Sequence, residues 1–352
     1  MKKRIIAAIV LVILISIGGT AIWAYQELRT PVRHSMSGKY IEIPRGSSPT
    51  AVVNKLHEAG IIKRRWPLSL YLKLTSNGNK LKAGEYDFPS PISPMGAFAK
   101  LQEGEQRLLR LTVVEGWTRW DIANAMYKIP ELHLDDATAA LPLMNNVQLI
   151  NDLDPKAENL EGYLFPDTYE FPRDAKPADV IAYMVKRFRK EWKPEWNARA
   201  AALGRSPREI VTVASLIETE AKLNSERPII ASVIYNRLQK DMALAVDSSI
   251  IYASKLAGKW RNDGKVYKSD VDRRSPYNTR LTSGLPPGPI ASPGKSSLEA
   301  AMNPATTDYL YYVREPSRND GAHNFYSDES GFGNGVRALR QWEQQRDAAA
   351  KP

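Results

Sequence analysis

The sequence predicts an α+β fold behind a single N-terminal transmembrane helix, with a small α/β region followed by a larger mixed α+β domain. Three observations carry this. Ile5 to Tyr25 runs 21 residues without a charge. A strand, a Gly turn and an amphipathic helix occur twice, with Gly46 and Gly116 lying 70 residues apart. The second half of the chain is dominated by helical periodicity, centred on a capped segment from Ser206 to Ala221.

The N-terminal run comes first. At 1.5 Å per residue it spans about 30 Å, the thickness of a bilayer core. Trp23 and Tyr25 stand where an aromatic belt would anchor one interface, and Lys2, Lys3 and Arg4 belong on the cytoplasmic side. The rival is a cleavable signal peptide. The run is longer than the usual apolar core of one, and Ile22 stands where a small residue would be needed for cleavage. We place a cytoplasmic start at 1–4, an uncleaved anchor at 5–25 and a polar stalk at 26–38. The bulk of the chain then lies outside the inner membrane, on the periplasmic or extracytoplasmic side.

The repeat occupies 39–158. Ile41-Glu-Ile-Pro-Arg-Gly46 precedes an amphipathic stretch at Ala51–Leu56, and Leu111-Thr-Val-Val-Glu-Gly116 precedes Trp120–Met126. A second echo, Gly84-Glu-Tyr-Asp-Phe-Pro89 and Gly162-Tyr-Leu-Phe-Pro166, follows each copy in the same order. The unit resembles the start of a LysM module, which binds N-acetylated glycans. The alternative is a strand–helix unit that only packs and positions.

From 159 to 340 the sequence reads as a second domain, and 341–352 as a polar tail. Asn159 to Phe171 interleaves Glu161, Asp167 and Glu170 with Tyr163, Phe165, Tyr169 and Phe171. Aromatic faces beside carboxylates suit a sugar groove, whereas aromatic clusters more often build cores. Ser206, Pro207 and Glu209 form a helix start with a capping box. Ile210, Val213, Ala214, Ile217 and Ala221 then define an apolar face toward a core. Glu218 and Glu220 flank that face. A carboxyl beside apolar groups has its charged form disfavoured and can act as an acid near neutral pH. Periodicity does not choose between the two. Further on come a helix at Pro228–Lys240 carrying Asn236, then Asp247, a polar loop or lid over Lys255–Asp272, and Tyr277 in Ser275–Thr279. The Pro- and Gly-rich run Gly284–Gly294 would form a rigid cleft wall or a surface loop. A short helix at Ser296–Met302 and a strand at Tyr309–Val313 follow.

Composition excludes several classes. Without cysteine there is no disulfide framework, thiolate catalysis or Cys-ligated metal. The four histidines lack metal-ligand spacing, so neither a metal nor a cofactor is expected. The net charge of +10 points to an anionic partner or a solvated basic surface. The anchor and the missing nucleic-acid motifs argue against nucleic acid.

Together Leu160–Phe171, Val213–Ala221, Val233–Leu238, Ser275–Thr279 and Gly284–Ile290 resemble the MltG (YceG-like) family of endolytic murein transglycosylases, from the anchor to about residue 340. The resemblance implies a LysM-like small domain and a lytic domain. It implies a lyase that cuts the MurNAc–GlcNAc β-1,4 bond of nascent peptidoglycan strands and leaves 1,6-anhydro-MurNAc ends, terminating elongation. Glu218 takes the position of the catalytic glutamate. Asn236, Asp247, Tyr277 and Glu220 are expected to orient or line the substrate, and peptidoglycan synthases are expected partners. The sequence departs from the family at Ala245 and Ser248, where Gln and Pro are usual, at Arg280, usually aromatic, and at Phe332-Gly333, usually His-Asn. A lysozyme-type muramidase using Glu218 with Asp247 or Glu161, and a non-catalytic wall-binding scaffold, are the rival classes.

Overall fold

The computed structural model describes residues 2–104, 108–318 and 320–349. Of the expected cytoplasmic start, Met1 lies outside the described residues, as do the last three residues of the tail. The chain divides into two compact units, residues 1–109 and 110–352, and each copy of the sequence repeat falls in a different unit.

The first unit begins with α1 (Lys2–Arg29), followed by β1 (Tyr40–Ile43), α2 (Pro49–Glu58), α3 (Arg65–Thr75), β2 (Gly84–Asp87) and α4 (Pro94–Glu103). From Ile9 to Arg29, α1 is long and apolar enough to cross a bilayer, and its side chains are largely uncovered by protein. Residues 26–38 are not set apart from this unit. Leu28 and Val32 are buried, and Val32 forms a two-way backbone bridge with Ile92. β1 and β2 pair antiparallel, with Ile41 opposite Tyr86. The alternation of β1 sends Ile41 and Ile43 inward, where they meet Val52, Val53 and Leu56 of α2 and Leu68 and Leu72 of α3. Ser48 caps α2 by accepting from the Ala51 N–H, with Pro49 in the first turn.

The second unit carries β3 (Leu108–Thr112) and α5 (Arg119–Tyr127), the second repeat copy, then β4 (Thr168–Pro172). β3 pairs with β4, and Arg110 faces Glu170 while Thr112 faces Thr168. A helical layer follows: α6 (Pro177–Glu191), α7 (Pro194–Ala202), α8 (Pro207–Glu220), α9 (Arg227–Gln239), α10 (Asp247–Leu256), α11 (Lys268–Val271) and α12 (Lys295–Met302). β5 (Tyr311–Arg314) and β6 (His323–Tyr326) make a hairpin covered by α13 (Glu329–Ala349). The last helix starts before the expected tail because Asp328 accepts from the Gly331 N–H at its first turn. Gly335 lets it sit close to the hairpin, since a Cβ there would stand 2.5 Å from the Tyr326 hydroxyl.

The aromatic stretch at 163–171 follows the core reading, not the sugar-groove alternative. Tyr163, Phe165, Tyr169 and Phe171 are all buried, and Tyr163 meets Phe188 of α6 edge-on at 5.1 Å. The interleaved acids bind protein partners: Asp167 pairs with Arg187 and Glu170 with Arg110. Alternation within β4 turns Tyr169 and Phe171 inward, whereas Tyr163 and Phe165 are buried in the turn and loop that precede the strand.

Candidate active site

The site is organised around α8. The capping box forms as expected: the Ser206 hydroxyl accepts from the Glu209 N–H, and Glu209 Oε2 accepts from the Ser206 N–H at 2.8 Å. The expectation of one apolar face is too narrow. All residues from Ile210 to Ile217 are buried, so the helix is enclosed on every side. Its two hydroxyl residues there are satisfied locally. Thr212 donates to the Arg208 carbonyl and Ser215 to the Thr212 carbonyl. Ser215 also accepts from the Ile290 N–H, which fastens the Pro/Gly loop to the helix.

Glu218 lies in the last turn, with a side chain only 4% exposed. Oε1 accepts from Arg227 Nη1 at 2.9 Å, and Oε2 accepts from the Gly294 backbone N–H at 2.8 Å. Both carboxylate oxygens are therefore held by donors from separate segments. Arg227 opens α9 and is itself buried. It donates to Asn224 Oδ1 and, at 2.5 Å, to the Ser297 hydroxyl. Its Nη2 is 3.9 Å from Oε2 of Glu115.

Glu115 brings a second carboxyl to Arg227 and Glu218. It sits in the Gly turn after β3, the turn of the second repeat copy. Gly116 there has φ +80°, and it donates to the Ser292 carbonyl while Ser292 donates back to the Trp117 carbonyl. The Glu115 pKa is raised, first by burial and then by the charge of Glu218, with Arg227 opposing. Beside this turn, a cavity of about 150 Å³ opens between Gly116, Asp121 of α5, Thr219 of α8 and Ser248, Tyr252 and Lys255 of α10. Lys255 reaches Asp121 at 3.1 Å across one wall.

The other expected residues fall in different places. Glu220 is half-buried on the opposite flank of α8. It accepts from the Tyr312 hydroxyl at 2.9 Å and from Ser248, and burial raises its pKa against the Tyr312 hydrogen bond. Ser248 also bonds Thr219 at 2.7 Å, so the residue standing where Pro is usual ties α10 to α8. Asn236 is committed to backbone: its amide donates to the Thr307 and Tyr309 carbonyls. Asp247 opens α10 with its side chain 64% exposed and pairs with Arg280 at 2.6 Å. Tyr277 packs against Tyr252 at 4.9 Å and lines a second, smaller pocket with Glu161 and Arg208. Glu161 is enclosed at the start of α5, where it accepts from the Arg119 N–H, and burial pushes its pKa up to about 7.

Three site residues were not singled out from the sequence. Glu115 stands next to the repeat glycine, Arg227 one residue before the expected α9, and Gly294 at the end of the Pro/Gly run. Their signals are positional, and only the folded chain joins them.

The YceG-like family model matches residues 41–338. A Bacillus subtilis (strain 168) protein named endolytic murein transglycosylase is 35% identical over 313 residues, covering 84% of this chain and 84% of that protein. A Streptococcus pneumoniae (serotype 2, strain D39) protein of the same name is 29% identical over 341 residues, and the match spans 89% of this chain but 61% of that longer protein. The crystal structure of a YceG-like protein from Listeria monocytogenes matches with a TM-score of 0.57 at 32% identity, covering 85% of this chain and 99% of that one.

Proposed function

This chain belongs to the YceG-like family, and from that premise we propose that it is a peptidoglycan lytic transglycosylase, anchored by α1, with Glu218 as the acting carboxyl. The observation that carries the assignment to Glu218 is its setting. A nearly enclosed carboxylate is fixed by Arg227 and the Gly294 N–H where the Glu115 turn, α9 and the Pro/Gly loop converge. The names of the relatives supply the substrate class and the reaction.

One carboxyl is enough for this chemistry. In its protonated form Glu218 gives its proton to the glycosidic oxygen as the C1–O4 bond breaks. The C6 hydroxyl of the same muramic residue forms the new C1–O6 bond, and its proton returns to Glu218. No water enters, and the nucleophile is already held by the sugar ring, which supplies the advantage of an intramolecular reaction. Arg227 and the Gly294 N–H hold the two carboxylate oxygens in fixed positions, so the same group is placed for both proton transfers.

Finer features belong to the same reading. The order β1–α2–α3–β2 in the first unit supports a LysM-like glycan-binding module. Ser248, Glu220 and Asp247 would shape one side of the groove beside α8, and Tyr277 a more distant wall. Asn236 would act indirectly, by holding the chain before β5. With Lys2 to Arg4 on the cytoplasmic side, the enzyme would cut nascent strands outside the membrane, beside the synthases that make them.

The test is the product spectrum of the full chain on purified peptidoglycan. The expected wild-type products carry anhydro ends, detected as a loss of water by mass spectrometry, and Glu218→Gln forms them far more slowly. Reducing ends would instead support a muramidase, and binding to sacculi without cleavage would support a scaffold.

A further inference from the structure

The first unit holds a feature that the cutting reaction does not use. α3 buries Pro67, Leu68 and Leu72 in its own core, yet it leaves a second apolar edge uncovered. Trp66, Leu70 and Leu74 are 41%, 44% and 77% exposed. At four-residue spacing they fall within one quarter of the helix circumference. Around them stand the exposed cations Lys63, Arg64, Arg65 and Lys73.

This edge is continuous with the spanning helix. Trp66 stacks on Trp23 of α1, with ring centroids 5.4 Å apart and planes 20° apart. The Arg64 guanidinium lies 5.0 Å over the same Trp23 ring and 4.0 Å from Glu27. A groove of about 330 Å³ runs between the two helices, walled by Ile17, Thr20, Ala21 and Ala24 of α1 and by Trp66 and Leu70 of α3. Ile17 lies eight residues before Tyr25 in α1, about 12 Å deeper along the axis. If Tyr25 marks the interface, the walls of the groove reach into hydrocarbon depth.

We propose that α3 is a second membrane element. Its Trp66–Leu70–Leu74 edge inserts among the lipid acyl chains beside the C-terminal half of α1, and the neighbouring cations meet the headgroups. The chemistry suits this occupant. Aromatic and aliphatic side chains gain by leaving water, and Lys and Arg at the rim reach anionic phosphates along their own stems. The proposal rests on the reading of α1 as a membrane span. It adds that the first unit lies against the bilayer surface rather than hanging from a single rod.

The absence of cysteine makes the test direct, because one introduced thiol carries one label. Ile13→Cys, Leu70→Cys, Leu74→Cys and Glu42→Cys are made in the full chain. Each is labelled with an environment-sensitive fluorophore and reconstituted into phosphatidylethanolamine/phosphatidylglycerol vesicles with bromine-bearing acyl chains. The expected result is loss of emission at 70 and 74 closer to that at 13 than to that at 42, with protection from aqueous iodide. Emission at 70 and 74 matching 42 would overturn the proposal while leaving the anchor in place. Protection from iodide without acyl-chain quenching would mean that a second copy covers the edge, which also overturns it. If position 13 is unquenched, the anchor itself is wrong and the proposal falls with it.

Discussion

Gly294 donates its backbone N–H to Oε2 of Glu218 at 2.8 Å while the Glu115 carboxyl occupies the space where a side chain at 294 would start. A Cβ at 294 would stand 1.9 Å from Oε1 of Glu115. The backbone donor and the second carboxyl occupy the same small space, and glycine is the residue that admits both.

This relationship predicts the behaviour of two substitutions. Gly294→Ala should push the Glu115 side chain out toward solvent, and so should reproduce much of the effect of Glu115→Ala on kcat. Because the two act through one contact, the double variant should fall little below either single one, a coupling of about 0.5–3 kcal/mol. Steady-state rates on a soluble glycan substrate measure this. Fully additive losses would show that Gly294 and Glu115 act separately.

Glu218→Gln is expected to reduce anhydro-product formation about 100- to 10,000-fold. It should also lower stability. Both carboxylate oxygens accept a hydrogen bond here, whereas an amide offers one accepting oxygen and one NH2 group. One donor, Arg227 or the Gly294 N–H, then faces another donor, at a cost of about 1–3 kcal/mol. Denaturant titration should show this loss with the folded circular dichroism spectrum retained. A variant with near wild-type turnover would remove Glu218 from its assigned role.

Glu161 makes stability depend on pH. Its folded pKa is raised from 4.5 to about 7 by burial, so the folded state holds a proton that the unfolded chain releases. The contribution is fully present below about pH 4.5 and is lost as pH rises through about 7, for at most about 3 kcal/mol. Glu161→Gln keeps a neutral side chain at every pH and should flatten that part of the profile. Urea melts of both proteins between pH 5 and 8 provide the comparison. Parallel profiles would mean that the carboxyl is ionised in the fold.

Asp154 is the buried anchor of the Pro/Gly loop. It pairs with Arg208 at 2.6 Å and accepts from the Tyr163 hydroxyl at 2.9 Å, while Arg208 donates to the Pro287 carbonyl. Asp154→Ala removes the carboxylate partner of Arg208 and the acceptor of the buried Tyr163 hydroxyl, and should cost about 1–3 kcal/mol. Asp154→Leu combined with Arg208→Met should recover part of that stability. If the double variant also recovers activity, the loop does not need the ion pair for its shape.

Local signals are legible in the sequence, and convergences of distant residues are not. Ser206, Pro207 and Glu209 announce the start of α8 because capping depends only on neighbours. Gly46 and Gly116 mark turns because positive φ is a property of one residue. The enclosure of α8 was hidden, since Thr212 and Ser215 look polar in sequence and become neutral to burial only by bonding their own helix. The aromatic run at 163–171 suits a core or a sugar groove by composition alone, and the fold buries all four rings. Arg227, Gly294 and Glu115 lie far apart along the chain, so nothing local could say that they meet at one carboxyl.

That wide spacing has a consequence in time. A ribosome delivers Glu115 first, Glu218 and Arg227 about a hundred residues later, and Gly294 and Ser297 last. The carboxyl on α8 gains its full set of partners only when α12 has been made. On the role proposed for Glu218, a chain still under synthesis lacks the complete set of donors at that carboxyl until residues 294–297 have been added.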